Sequence, residues 1–247
     1  TAFTDDINTV LLLNADLNQG TWFEDQSTGL AISTDSRMKF DGTDDSLSIP
    51  DSSDWEFGSG DFCIEAWVNV NENTTTKTVW ATTNLDDNGG MFCNYGAAVG
   101  LYWYIGTGSG HIVVTASVPA VGEWHHIACV RSGTGTNETI IYVDGVSAGT
   151  GTYTDDSQDA GANGFYVGDW PPNSWDMDGY MDEIRVSNVE RYSGAFTPKG
   201  RGETFTADAN TLLLIHSDWT GGLGADSSGN YNNFTATNLV ATDQMID

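Results

Sequence analysis

The chain has 247 residues with 9 Trp, 9 Tyr, 10 Phe, 29 Gly and only 5 Pro, enough apolar mass for one large all-β domain or two small ones built from short strands and tight turns. Eight Lys and Arg stand against 35 Asp and Glu, a formal net charge of −27; such a surface repels phosphate backbones and anionic lipid, which excludes nucleic-acid partners. No apolar run is long enough to cross a bilayer, so membrane insertion is not expected.

Strand signals follow one another at residues 9–15, 37–41, 45–49, 62–71, 77–84, 99–105, 111–116, 124–131, 138–144, 164–168 and 179–188. No window shows sustained helical periodicity, and SNVERYSG (187–194) is expected to make one short turn. Separators such as DGTDD, SGTGTN, VDGVSAG and GDWPPNSWDMDG complete the pattern of a two-sheet antiparallel sandwich. Cys63, Cys93 and Cys129 lie in apolar strand-like runs without a C-x-x-C spacing, and read as buried free thiols rather than a disulfide framework. In WHHIACVR, alternation puts Trp124, His126, Ala128 and Val130 on one face and His125, Ile127, Cys129 and Arg131 on the other. Two adjacent histidines on opposite faces cannot ligate one metal, so His126 is assigned a structural role and His125 that of a polar cross-strand neighbour.

An internal repeat is present. NTVLLLNAD (8–16) recurs as NTLLLIHSD (210–218), each followed by an Asp-Ser-Gly turn, DQSTG (25–29) and DSSGN (226–230). Residues 1–198 therefore read as one jelly-roll domain, and residues 199–247 as a linker plus a partial repeat, either an extra edge strand for that domain or the opening of a next one. Because the chain starts at Thr1, it is read as a fragment or a processed product.

Four segments in order, FDGTDDSLSIPDSSDWEFGSGDFCIEAWVNV (40–70), VGEWHHIACVRSG (121–133), IYVDGVSAG (141–149) and GYMDEIRVSNVERYSGAFTP (179–198), resemble the concanavalin A-like lectin/glucanase superfamily and, within it, laminin G-type jelly rolls, all-β two-sheet antiparallel sandwiches. The segment 226–247 further resembles structural proteins of tailed bacteriophages. The first resemblance implies that the W-H-H segment is a sandwich strand, and Asp144-Gly145 offers the positive φ of a tight hairpin turn.

The same resemblance implies one structural Ca²⁺ where first and last strands meet. Ca²⁺ takes six to eight oxygens from carboxylates and carbonyls, and the expected ligands are Asp16, Asp182 and the carbonyls of Asp41 or Gly42. The alternative is that these are ordinary turn and edge aspartates, the bulk of the acidity serving solubility in a salty medium. For carbohydrate, the loop GDWPPNSWDMDGY (168–180) offers aromatic platforms and polar partners. Trp170, Asn173, Trp175 and Asp176 are the expected contacts, with Asp87 and Asn88 at the same rim; Tyr102 and Tyr104 share a strand face. The alternative packs these aromatics onto the sandwich or onto another chain.

Relatives that hydrolyse β-glucans carry paired glutamates on one strand. Glu65, Glu72, Asp182, Glu183 and Glu190 form no such array, so a catalytic role is not expected. The resulting expectation is a non-catalytic carbohydrate-binding and adhesion module of a virion structural protein, a tail fibre or spike or a capsid decoration. It is Ca²⁺-stabilised, lies at the virion surface or outside the cell, and meets a host-surface glycan or other virion proteins. Two rivals remain: a purely structural assembly module, which predicts a stable homo-oligomer with Trp170 and Trp175 in the interface, and a laminarinase-like glycoside hydrolase.

Overall fold

The computed structural model describes residues 13–14, 24–25, 36–82, 90–107, 110–154, 164–171, 173, 175–218 and 221–246. The chain divides into two units, residues 1–34 and 35–247. In the first, β1 (Leu13–Asn14) pairs antiparallel with β2 (Glu24–Asp25).

The second unit is a two-sheet antiparallel jelly-roll sandwich, the fold class expected. One sheet takes the order β12 (Val146–Gly151), β11 (Thr139–Val143), β10 (Trp124–Arg131), β5 (Phe62–Val70), β14 (Asp178–Ser187), β3 (Ser36–Asp41), β17 (Gln244–Ile246), with β15 (Thr211–Ile215) also on β14. The other takes the order β16 (Thr235–Thr237), β4 (Ser46–Ile49), β13 (Phe165–Val167), β6 (Lys77–Thr82), β7 (Met91–Gly96), β8 (Gly100–Thr107), β9 (Gly110–Ala116). All pairings are antiparallel. No described helix is long and apolar enough to cross a membrane.

Alternation decides which side chains fill the space between the sheets. From β5 come Phe62, Ile64, Ala66, Val68 and Val70; from β8 come Leu101, Trp103 and Ile105. Rings cross the gap, Phe62 meeting Trp103 edge-on at 5.6 Å, while Trp80 stacks on Phe165 within the second sheet at 6.0 Å. Cys93 and Cys129 lie in this core, and all three cysteines are free and buried. The opposite face of β5 and β10 is buried too. Cys63, Ala128, Val130 and Tyr142 form a second small core under Tyr192 and Phe196. Burial on both faces is why these strands read as nearly continuous apolar runs.

His126 is part of that second layer and fully buried, its Nε2 2.9 Å from Glu65 Oε2. His125 points the other way and meets Asp144 at 2.7 Å. Asp144 and Gly145 take φ of 52° and 77°, the hairpin turn expected between β11 and β12.

Five of the described strands, β2, β7, β12, β16 and β17, were not among the strand signals of the sequence. β7 (MFCNYG) is buried at every position, so it lacks alternation. The short β16 and β17 carry few apolar residues, and their pairing with β4 and β3 is set by the rest of the fold. Residues 187–194 form bends and no helix. The strand beside the second half of β14 also differs from the family expectation: β15, the second copy of the repeat, pairs with Ile184–Ser187, while β3 pairs with Asp178–Met181 along the same edge. A bulge at Asp182–Arg185, with Glu183 at φ 51°, separates the two pairings.

Candidate functional site

The loop after β13 folds back over the outer face of the seven-stranded sheet. Gly168, at φ 81°, starts it; a side chain there would strike the Phe40 ring. Three backbone hydrogen bonds fasten the loop: Gly168 N to Val79 O at 3.0 Å, Met177 N to Gly168 O at 2.7 Å and Thr78 N to Trp175 O at 2.8 Å. Between these ties the chain carries two tryptophans onto the sheet.

The sheet meets them with aromatic residues in register. Tyr104 of β8 lies opposite Phe92 of β7, which lies opposite Ala81 of β6. Phe92 stacks on Tyr104 at 4.5 Å and 5°, Trp170 packs on Phe92 at 4.5 Å, and Trp175 leans on Trp170 at 4.7 Å. His111 of β9 stacks on Tyr104 at 4.8 Å. Asn94 Nδ2 donates to the Tyr102 hydroxyl at 3.2 Å and steadies the next ring along. The cluster is layered. Trp170 is 1% exposed and Phe92 5%, so they form the floor. Trp175, Tyr102 and Tyr104 are half-buried and His111 is exposed, so they form the surface a ligand would meet.

Of the expected contacts, Trp175 presents a surface on this face, whereas Trp170 supports it from below. Asn173 is exposed at the loop tip, its N–H donating to Trp170 O at 2.9 Å. Asp176 is buried and hydrogen-bonds the carboxyl of Asp169. Burial and the neighbouring Asp176 charge push Asp169 up to about 6; burial likewise raises Asp176. Asp87 and Asn88 lie outside the described residues. Sequence reading did not single out Phe92, His111 or Asp169; register across β7, β8 and β9 brings the first two beside Tyr104.

The metal candidates separate. Asp41 ends β3 opposite Asp178, and with Asp44 and Asp45 offers carboxylate oxygens within 4.8 Å of one another. Asp45 Oδ2 accepts from Asp41 N at 2.9 Å, and Asp41 Oδ1 from Thr43 N at 2.8 Å. Gly42 turns at φ 80° against Asp178, whose carboxylate accepts from Asn71 at 2.8 Å. Asp45 is raised by its burial and then by Asp41, Asp243 and Asp44. Three oxygens at this spacing fit the coordination sphere of a hard divalent ion, whose ligands stand about 2.3–2.6 Å from it. Asp182 is not brought to this cluster. It lies further along β14, accepts from the Ser217 hydroxyl, and is pushed up to about 7, chiefly by burial. Asp16 lies outside the described residues.

Of the carboxylates weighed for catalysis, Glu65, Glu183 and Glu72 are engaged in contacts of the fold. Glu65 is 1% exposed and accepts from Arg185 at 2.6 and 2.8 Å and from Tyr192 at 2.7 Å, besides contacting His126. Glu183 accepts from Phe205 N and meets His216 at 2.7 Å. Glu72 caps its own loop through Thr74 and Thr75. These groups hold the fold: Glu65 pins the covering segment that carries Tyr192, and Glu183 pins β15.

Comparison with known proteins agrees with this geometry. The family described as the concanavalin A-like lectin/glucanases superfamily matches residues 41–193, more than half of the chain. The chain belongs to that superfamily. None of the curated proteins matches it in sequence. Among solved structures, a protein from Bacteroides ovatus, classed provisionally as carbohydrate-binding, superposes with a TM-score of 0.61 at 21% identity, over 87% of this chain and 60% of the other. The chain thus spans about 60% of that protein's length. Mouse laminin α1 domains LG4-5 give 0.47 at 17% identity, over 67% of this chain and 44% of the other. Domain 4 of an extracellular arabinanase from Geobacillus stearothermophilus, in complex with arabinotriose, gives 0.47 at 23%, over 66% and 72%. What this concanavalin A-like chain shares with the Bacteroides ovatus protein is the fold.

Proposed function

We propose that the chain is a non-catalytic carbohydrate-binding module. The observation that carries the reading is the layered aromatic patch on the outer face of the seven-stranded sheet, with Trp175, Tyr102 and Tyr104 open above a floor of Trp170 and Phe92. Sugar rings present flat C–H faces that stack on such rings, while a fringe of hydroxyls donates to nearby oxygens. Asn173 and the partly exposed Asp169 supply those oxygens at the loop. Membership of the superfamily and the fold shared with the Bacteroides ovatus protein support the same reading.

In this proposal a Ca²⁺ ion is held by Asp41, Asp44 and Asp45, one strand-end away from the loop, where it would neutralise like charges and stiffen the β3–β4 turn. The setting that goes with it is extracellular, on a virion surface such as a tail fibre or capsid decoration, as the resemblance of residues 226–247 suggests. The partner there is a host-surface glycan.

Affinity electrophoresis through a panel of polysaccharide gels tests the reading, with reducing-sugar release measured on the same polymers. Retardation without sugar release is the expected result. Release of reducing sugar would favour the hydrolase reading, and migration indifferent to every polymer would remove the binding reading. For the metal, the melting temperature is expected to rise with added Ca²⁺ in the native chain and to stay put in Asp45→Asn.

A further inference from the structure

The distribution of positive charge says which sugars this face takes, an inference that rests on the binding reading above. All eight basic side chains are among the described residues. Arg37, Lys39 and Arg185 belong to strands of the eight-stranded sheet, where Arg37 lies over Tyr180 at 4.5 Å and Arg185 is held by Glu65 at 2.6 Å. Arg131 is fully buried and donates to Gly58 O at 2.6 Å. Arg191, Lys199 and Arg201 follow β14 in the segment covering that sheet; they are taken up by Asp208 at 2.6 Å, Thr204 O at 3.0 Å and the Trp124 ring at 4.6 Å. Lys77 alone belongs to the seven-stranded sheet, and Glu72 holds its Nζ at 3.6 Å.

The aromatic face therefore has no arginine fork beside it, and its one nearby lysine, Lys77, is drawn to Glu72 and to Asp176, whose charge it offsets. Asp169 and Asp176 outnumber that lysine, in a chain of net charge −27. Recognition of a carboxylated or sulfated sugar depends on bidentate or point-charge partners of the opposite sign. Here such a ligand would meet like charge, which repels at a cost even in water-like surroundings. A neutral sugar meets none of that cost: its C–H faces stack on Trp175 and Tyr104, and its hydroxyls donate to the carboxylates. We propose that the ligands of this face are neutral glycans and that sialylated, uronic-acid and sulfated glycans are excluded.

The test is a titration of the full chain with neutral oligosaccharides (gluco-, manno-, xylo-, galacto- and arabino-series) and with anionic ones (sialyllactose, oligogalacturonate, chondroitin sulfate) at low and high salt. Neutral ligands alone are expected to bind, with an affinity that salt leaves within about twofold, since no ion pair is screened. Thr115, exposed on β9 opposite Tyr102, provides the converse. Thr115→Arg is expected to admit an anionic ligand and to make its binding salt-sensitive. Native-chain binding of an anionic glycan as tight as that of the best neutral one would overturn the proposal and leave the binding reading intact. Continued refusal of anionic ligands by a neutral-binding Thr115→Arg variant would show that charge is not the discriminator, which also overturns it. Binding of neither class by the folded chain would remove the reading beneath it.

Discussion

Trp170 and Trp175 stand five positions apart in one loop and differ in what their truncation should do. Trp170 is 1% exposed and lies on Phe92, so Trp170→Ala opens a cavity beneath the loop and is expected to cost about 3–5 kcal/mol of stability. Trp175 is half-buried and leans on Trp170 from the open side, so Trp175→Ala is expected to cost less than half as much. Urea unfolding of both variants checks this; equal losses would mean that Trp175 is a packing residue as well. The sequence showed that two tryptophans in a loop were unusual. It did not show which was floor and which was surface, because that depends on Phe92 and Tyr104, brought beneath the loop by strand pairing. The histidine pair of β10 was more legible. Alternation alone separated His125 from His126, and the structure places one at Asp144 and the other at Glu65.

At the scale of elements, the segment after the match to the superfamily contributes to the sandwich itself. Leu213, Ile215, Phe234 and Leu239 enter the main core, and β15, β16 and β17 pair with β14, β4 and β3. Truncation after Gly202 removes these four side chains, each worth about 2 kcal/mol or more when buried, and uncovers strand edges along both sheets. The truncated chain is expected to lose cooperative thermal unfolding or to aggregate, as followed by circular dichroism and light scattering; a sharp transition near that of the full chain would show that β15–β17 are dispensable. The repeat motif announced a strand at 210–218 but not its seat, since both copies carry the same apolar alternation. The cluster of Asp41, Asp44 and Asp45 was legible only in part for a similar reason. FDG marked the turn of Asp41 and Gly42, whereas Asp44 and Asp45 join Asp41 through that turn, and Asp182 falls at the bulge, just past the pairing of β14 with β3.

For the whole molecule, the acidic surface and the buried carboxyls push stability the same way with pH. Asp169 at about 6 and Asp182 at about 7 lie above the usual carboxylate range, so the folded state holds protons that the unfolded state has released. Stability from these groups is full at low pH and is lost as pH rises through their folded values. His216, raised by Glu183, likewise stabilises below its folded value and less above it. Glu72, lowered to about 2 by its threonine hydrogen bonds, Asp208, lowered by Arg191, and Glu65, lowered by His126 and Arg185, act the other way and withdraw stability as acid protonates them. The melting temperature is therefore expected to peak near pH 5, falling toward both pH 8 and pH 3, and Asp182→Asn should flatten the slope on the alkaline side. A melting temperature that climbs steadily to pH 8 would contradict this assignment.

The central claim is that the aromatic face of the seven-stranded sheet binds sugar. The measurement that tests it most directly is a glycan array read with the native chain, Trp175→Ala and Tyr104→Ala, each first shown to be folded. The account predicts specific signals on glycans for the native chain and a loss of at least about tenfold, or 1.4 kcal/mol, in both variants. Specific binding that survives both substitutions would move the site elsewhere on the molecule, and a folded native chain that binds no glycan would contradict the account.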